Sequence, residues 1–160
     1  MIANEGFRAS ELRMMVCGSA DIDVRELRRM ACYKGCQMND QMCRWLFDVL
    51  AGWHSNKTMF PATESQMEDF SKTPAPYYVN KFVEFATGSP RAPPGGYQNL
   101  KNKSGIKQPF TVEKLDAVAD HMPRAHTCFN KVDFPPYSSR EKLAEMLWLA
   151  LVNGMNAGDL

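Results

Sequence analysis

The feature that most constrains the fold is a change in hydrophobic periodicity along the chain. Apolar residues recur every three or four positions in Asp40–Leu50, Tyr77–Ala86 and Leu143–Leu151, a spacing that places them on one face of a helix. Between the last two stretches the texture changes, and Phe110–Val112 and His126–Phe134 favour β structure, the latter stopped by a Pro-Pro pair. The sequence therefore indicates several helices combined with short strands.

Cap and stop signals set the expected ends of two of these helices. In the last helix, Ser138 and Glu141 have the spacing of a capping box, and Gly154 is expected to lie just past the C-terminus. The helix that begins at Asp40 is expected to end at Gly52.

The N-terminal third contains two shorter helical patterns and a polar segment. Helices are predicted over Ser10–Cys17 and over Val24–Met30, the second with Asp23 as its N-cap. Residues 54–76 are polar, contain Pro and show little sustained periodicity. We interpret this segment as an exposed insertion.

Composition excludes several classes of protein. With 160 residues, 44% of them apolar, and a formal net charge of +1, the chain fits one globular domain, or one domain with a fragment of a neighbour, and lacks the broad basic field of non-specific nucleic-acid binders. We expect no signal peptide and no membrane span, because the greasiest stretch is short and contains a glutamate. Five unpatterned cysteines favour reduced thiols in the cytoplasm, with the nucleus as the alternative compartment.

Cysteine and histidine residues are the main candidates for chemistry. Cys32, Cys36, Cys43 and His54 are the residue types that bind zinc, but their spacing is not that of a structural zinc site, so packed thiols are preferred to a metal. Cys128 differs because it follows His126 by two positions in a segment that favours a strand, which would place both side chains on one face. A packed thiol beside a hydrogen-bonded imidazole is the alternative interpretation.

Three ordered blocks of sequence resemble one family. MPRAHTCFNKVDFPPYSSREKLAEML resembles the end of the catalytic C-lobe of HECT-type ubiquitin-protein ligases, where a His-Thr-Cys-Phe-Asn motif precedes the last helix. FVEFATGSPRAPPGGYQNL is similar to an upstream C-lobe stretch of the same family, and ASELRMMVCGSADIDVREL to the end of its N-lobe and the following hinge.

The resemblance implies a domain organisation and a fold class. Residues 1–17 would be the C-terminal tail of the N-lobe, Gly18, Ser19 and Ala20 the interlobe hinge, and residues 21–160 the C-lobe. The implied fold is α/β, with several helices packed on a small β-sheet and the catalytic cysteine in a loop or strand near the last helix.

The resemblance also implies a reaction. Cys128 would accept ubiquitin from a ubiquitin-conjugating enzyme as a thioester and pass it to a lysine of a substrate protein, without a cofactor or metal. Thr127, Phe129, His126 and Asn130 would form the neighbourhood of the thioester. His126 would order the loop or hydrogen-bond the thiol rather than act as a base, although the sequence leaves this open. The conjugating enzyme would dock mainly on the N-lobe.

Two alternatives remain open at the level of sequence. Many family members have Phe as the fourth residue from the end, where this sequence has Ala157, so a ubiquitin-binding regulatory module that has lost transfer to lysine is the runner-up. A Cys–His peptidase is the third hypothesis, and for it the sequence offers no candidate that would orient His126. Substrate, partner enzyme and linkage type are not specified by the sequence.

Overall fold

A computed structural model of the chain describes residues 22–55 and 77–157, the last four of them by backbone only. These residues form four α-helices and four β-strands, interspersed along the chain. In chain order the elements are α1 Val24–Met30, β1 Cys32–Lys34, α2 Gln41–His54, α3 Tyr77–Thr87, a 3₁₀ turn Tyr97–Asn99, β2 Thr111–Lys114, β3 Arg124–His126, a 3₁₀ turn Thr127–Phe129, β4 Lys131–Phe134 and α4 Arg140–Ala157.

The four strands form one mixed sheet in the order β1-β2-β4-β3. β2 pairs in parallel with β1 and with β4, whereas β3 and β4 form an antiparallel pair joined by the second 3₁₀ turn. Side chains alternate between the faces of a strand, so Val132 and Phe134 are fully buried on one face while Lys131 and Asp133 lie on the other. The predicted α/β arrangement is confirmed.

The hydrophobic core lies between this sheet and the three longer helices. Helix α2 packs against both α3 and α4, and α3 also contacts β3 and β4. The largest fully buried side chains come from all of these elements, and they include Trp53, Phe82, Phe110, Phe134, Leu143 and Leu147. Burial of this apolar surface is the main favourable term that holds the sheet and the helices together.

Two helices begin at the predicted residues, α1 at Val24 and α3 at Tyr77. Asp23 caps α1, since its carboxylate accepts hydrogen bonds from the backbone N–H of Arg25 and Glu26. Helix α3 ends one residue later than predicted and is followed by Gly88, whose φ of +82° suits glycine. The predicted end of α2 at Gly52 is wrong: the helix continues to His54, and Gly52 is buried within it.

The predicted ends of α4 are also wrong. Ser139, not Ser138, caps the helix, because its hydroxyl oxygen accepts a hydrogen bond from the backbone N–H of Lys142 at 3.1 Å. The Ser138 hydroxyl instead donates to the Asp120 carboxylate at 2.8 Å. The helix runs through Gly154 to Ala157, since an isolated glycine weakens a helix without ending it.

The prediction of continuous β structure from His126 to Phe134 is wrong in its middle. β3 ends at His126, and β4 begins only at Lys131. The residues between them form the 3₁₀ turn, and Asn130 follows it in the left-handed conformation with a φ of +52°. A left-handed residue cannot continue a strand, so the segment forms a hairpin rather than a single strand.

Other predictions fall outside the described residues. These are the N-lobe tail with its helix over Ser10–Cys17, the hinge residues Gly18, Ser19 and Ala20, and all of the predicted insertion except His54 and Ser55. Among the residues that the structure does describe, no helix has the length and apolar character needed to cross a membrane.

Candidate active site

Cys128 lies in the middle of the 3₁₀ turn that joins β3 to β4. Its side chain is exposed, and the next residue, Phe129, is also 57% exposed. Large aromatic side chains normally pack in the interior, because burial of the ring stabilises the fold. An exposed phenylalanine next to a free thiol is therefore unusual. The strand interpretation of Cys128 is therefore wrong, and the thiol faces solvent instead of packing in the sheet.

Asn130 fixes the C-terminal end of this turn. The residue is 1% exposed, and its side-chain amide donates to the carbonyl oxygens of Lys101 and Gln108 at 3.0 and 2.9 Å. Its own carbonyl accepts a hydrogen bond from the backbone N–H of Thr111 on β2 at 2.9 Å. Asn is among the few residues that tolerate the left-handed conformation. One buried side chain therefore holds the turn to the loop before β2.

A polar network lies at the N-terminal end of the same turn. His126 Nε2 is 2.6 Å from Asp133 Oδ2, and Lys131 Nζ lies 3.1 Å from the other oxygen of Asp133. The same ammonium donates to Glu113 Oε2 at 2.6 Å. The hydrogen bond to Glu113, followed by the contacts with Asp133, raises the pKa of Lys131. These four side chains form the polar network of the sheet.

The sheet register explains how the polar network assembles. His126 pairs with Lys131 across the β3–β4 hairpin, and Asp133 lies two residues further along β4 on the same face. Glu113 pairs with Asp133 across the parallel β2–β4 ladder. Sequence reasoning missed Asp133, Lys131 and Glu113 because the hairpin was interpreted as one strand. The alternation of charged and buried residues in Lys131–Phe134 is the signal that could have found two of them.

Thr127 lies against the end of helix α3. A Cβ atom placed on Gly88 would lie 3.8 Å from the Thr127 Cβ, an ordinary van der Waals distance, so the residue that follows α3 lies beside the turn. Two open grooves flank the turn. One, of about 930 Å³, has His126 and Asp133 on its wall, and the other, of about 750 Å³, has Asn130 on its wall.

The four residues of zinc-binding type, Cys32, Cys36, Cys43 and His54, do not come together as a metal site within the described residues. Cys36 Sγ and Cys43 Sγ are 3.6 Å apart, but in the described part of the chain no group of three or more Cys, His, Asp or Glu side chains could hold a metal ion. Cys43 is fully buried, as expected for a packed thiol, and burial raises its pKa to about 12. Cys32 is exposed, so the packed-thiol interpretation is wrong for that residue.

The comparison with protein families agrees with the motif around Cys128. The family model described as HECT-domain (ubiquitin-transferase) matches residues 3–59 and 72–157. This chain belongs to the HECT family. The match covers the candidate active site and helices α1 to α4, and the segment that the HECT model leaves unmatched between its two blocks lies within the predicted insertion.

Named relatives are HECT-type ligases over the same region. The chain is 32% identical over 153 residues to the E3 ubiquitin-protein ligase pub3 of Schizosaccharomyces pombe, covering 96% of this chain and 16% of the relative. It is 33% identical over 148 residues to the E3 ubiquitin-protein ligase NEDD4 of Mus musculus, covering 92% of this chain and 14% of the relative. The sequence thus spans only a small part of the length of these relatives, which are named as ubiquitin-protein ligases.

Proposed function

We propose that this chain is the catalytic lobe of a HECT-type ubiquitin ligase and that Cys128 carries ubiquitin as a thioester. The observation that supports this most directly is the exposed thiol of Cys128, held on a turn that Asn130 clamps with two buried hydrogen bonds, in a chain of the HECT family. The partners in this proposal are ubiquitin, a ubiquitin-conjugating enzyme and a substrate protein with an accessible lysine. No cofactor takes part, and we propose the cytoplasm or nucleus as the compartment.

The geometry suits thioester exchange. In the first step, the Cys128 sulfur attacks the carbonyl carbon of an incoming thioester, a new C–S bond forms, and the first thiol leaves with a proton. The reaction exchanges one thioester for another of similar energy, so the barrier depends on alignment, and good alignment is worth an effective molarity on the order of 10⁵ M. A clamped turn supplies such alignment, and the open grooves on both sides leave room for a bulky acyl group.

The second step transfers ubiquitin to an amine. A lysine nitrogen attacks the carbonyl carbon of the thioester, an amide bond forms, and Cys128 leaves as a thiol. This step separates a ligase from a regulatory module, because the module would bind ubiquitin without releasing it to lysine.

The first step is tested with ubiquitin supplied as the C-terminal thioester of a small thiol, which removes the need for a conjugating enzyme. We expect the 160-residue chain to acquire a ubiquitin adduct that a reducing agent removes, visible on non-reducing gels and by intact mass. The Cys128→Ala variant should form no such adduct. Cys32→Ala is the matched control, because Cys32 is also exposed, and it should load as the wild type does. An adduct on the Cys128→Ala variant would refute the proposal.

A further inference from the structure

The polar network gives His126 a defined orientation. An ionised carboxylate only accepts hydrogen bonds, and the Lys131 ammonium 3.1 Å from Asp133 Oδ1 favours that ionised form. The 2.6 Å contact between Asp133 Oδ2 and His126 Nε2 therefore places the imidazole proton on Nε2. In neutral His126 the lone pair is then on Nδ1, and the side chain is 43% exposed. The result is a base oriented by a carboxylate, the element that a Cys–His pair needs.

The His126 ring is bonded to Asp133 and forms no hydrogen bond with the Cys128 thiol in the described part of the chain. His126 immediately precedes the turn, and Cys128 is its middle residue. Loading of the thiol can therefore proceed without the imidazole, whereas a molecule that approaches the thioester along the β3 side can meet it.

The groove beside His126 suits a primary alkylamine. Its wall combines the imidazole and the Asp133 carboxylate with apolar side chains that include Phe85, Leu115 and Val118. Val118 is 73% exposed. The four-carbon stem of a lysine packs on such a surface while its nitrogen needs a polar partner.

We propose that His126, oriented by Asp133, accepts the proton of the lysine amine that attacks the Cys128 thioester. This inference rests on the proposed function, since it requires ubiquitin on Cys128. The neutral amine forms the new C–N bond, and the nitrogen becomes cationic while the carbonyl oxygen becomes anionic. His126 Nδ1 takes a proton from that nitrogen. The C–S bond then breaks, and the imidazolium returns the proton to the departing sulfur, leaving an amide, a thiol and a neutral imidazole.

The charged groups around His126 favour this role. From β4, Asp133 bonds to Nε2, and the cationic Lys131 occupies the paired position. From β2, Glu113 balances the charge of Lys131. His121 and Arg124 belong to the same groove wall.

The experiment separates the two steps on the whole 160-residue chain. Wild type, Asp133→Asn and His126→Gln are loaded with the small-thiol thioester of ubiquitin, freed of excess reagent, and mixed with an Nα-acetyllysine amide whose only amine is on the side chain. We expect loading within about twofold of the wild type. Amine discharge should fall by about tenfold or more in Asp133→Asn and on the order of 100-fold in His126→Gln, the range of a general base.

Two variants serve as matched controls. Glu145→Gln removes a partly exposed carboxylate of α4 that pairs with Lys142, and His54→Gln removes an imidazole at the end of α2, both outside this groove. Both should discharge as the wild type does.

Each outcome assigns failure to a different level. If the wild type does not load, the proposed function fails. All variants could load, with Asp133→Asn and His126→Gln then discharging as fast as the wild type. In that case the proton-acceptor role of His126 is wrong, while the proposed thioester on Cys128 is retained. A loss of loading equal to the loss of discharge in both variants would show that the pair only supports the structure, and would also overturn this inference.

Discussion

Cys43 and Cys128 carry the same side chain in opposite surroundings. Cys43 lies in the first turn of α2, fully buried, and burial, followed by the hydrogen bond to Cys36, raises the pKa of its thiol to about 12. Cys128 lies on a turn between two strands and is exposed. The difference shows that a buried thiol acts as part of the core, whereas an exposed thiol must be positioned by other side chains. Around Cys128, buried Asn130 performs that task by holding the end of the turn with two hydrogen bonds.

The largest expected difference between the two thiols is in alkylation rate. A buried thiol with a raised pKa is shielded from reagents and is rarely present as the reactive thiolate. Because Cys128 is exposed, we expect iodoacetamide to label it on the order of a hundredfold or more faster than Cys43 in the native chain, as measured by mass spectrometry of peptides. The two rates should converge in concentrated urea, and equal rates in the native chain would remove the basis of the comparison.

The next largest effect is expected at Asn130. Asn130→Ala leaves the carbonyl oxygens of Lys101 and Gln108 without the amide donors, and alanine tolerates the left-handed conformation of this position less well than asparagine. We expect a loss of about 2–4 kcal/mol in the free energy of unfolding, measured with urea. Asn130→Gly keeps the favourable backbone and should be about 1 kcal/mol more stable than the alanine variant. Equal stability of Asn130→Gly and Asn130→Ala would show that the left-handed backbone of residue 130 costs alanine no free energy.

Serine substitutions test the two thiols directly. Cys43→Ser places a hydroxyl in an apolar site, and we expect it to lower the free energy of unfolding by about 1–3 kcal/mol. Cys128→Ser changes an exposed atom and should stay within about 0.5 kcal/mol of the wild type. The measurement is again urea unfolding. A Cys128→Ser variant as unstable as Cys43→Ser would mean that the turn that carries Cys128 belongs to the core.

The smallest expected effect concerns acid stability near the groove. Hydrogen bonds from the backbone N–H and the hydroxyl of Ser138 lower the pKa of Asp120. A lowered pKa stabilises the fold above the pKa of the unfolded chain, and this contribution is lost as the pH falls through the folded value. Asp120→Asn removes this carboxylate and should therefore flatten the dependence of the melting temperature on pH below about pH 4. Asparagine is the suitable substitution because it tolerates the left-handed conformation of this position, whose φ is +63°. An unchanged pH profile would contradict this account.

Local signals were sufficient for the presence of the helices and for the cap at Asp23, but not for the end of α2 or for either end of α4. The motif that singles out Cys128 as the candidate nucleophile is contiguous in sequence and therefore visible without the fold. The strand β1, in contrast, was not predicted. Cys32 pairs with Thr111, so the strand exists because of a partner far along the chain, and three residues of mixed exposure give no periodic signal of their own.

The same reasoning explains the error at the site. The interpretation of residues 126–134 as one strand followed from their β-favouring composition, but a single left-handed residue, Asn130, divides the segment into a hairpin. Once the hairpin is known, its register places Asp133 on the same face as His126. The orientation of His126 therefore depended on one backbone conformation that composition does not encode.

The parallel pairing of β2 with both of its neighbours has a consequence for the nascent chain. β1 is synthesised early, yet its only strand partner among the described residues is β2, which emerges dozens of residues later. β2 in turn requires β4, and the sheet needs α4 to cover its core. Such distant pairings form slowly because the intervening loop must first be closed. Ribosome-bound chains should therefore lack the formed β2–β4 ladder, and with it the clamped turn that carries Cys128, until α4 has been translated.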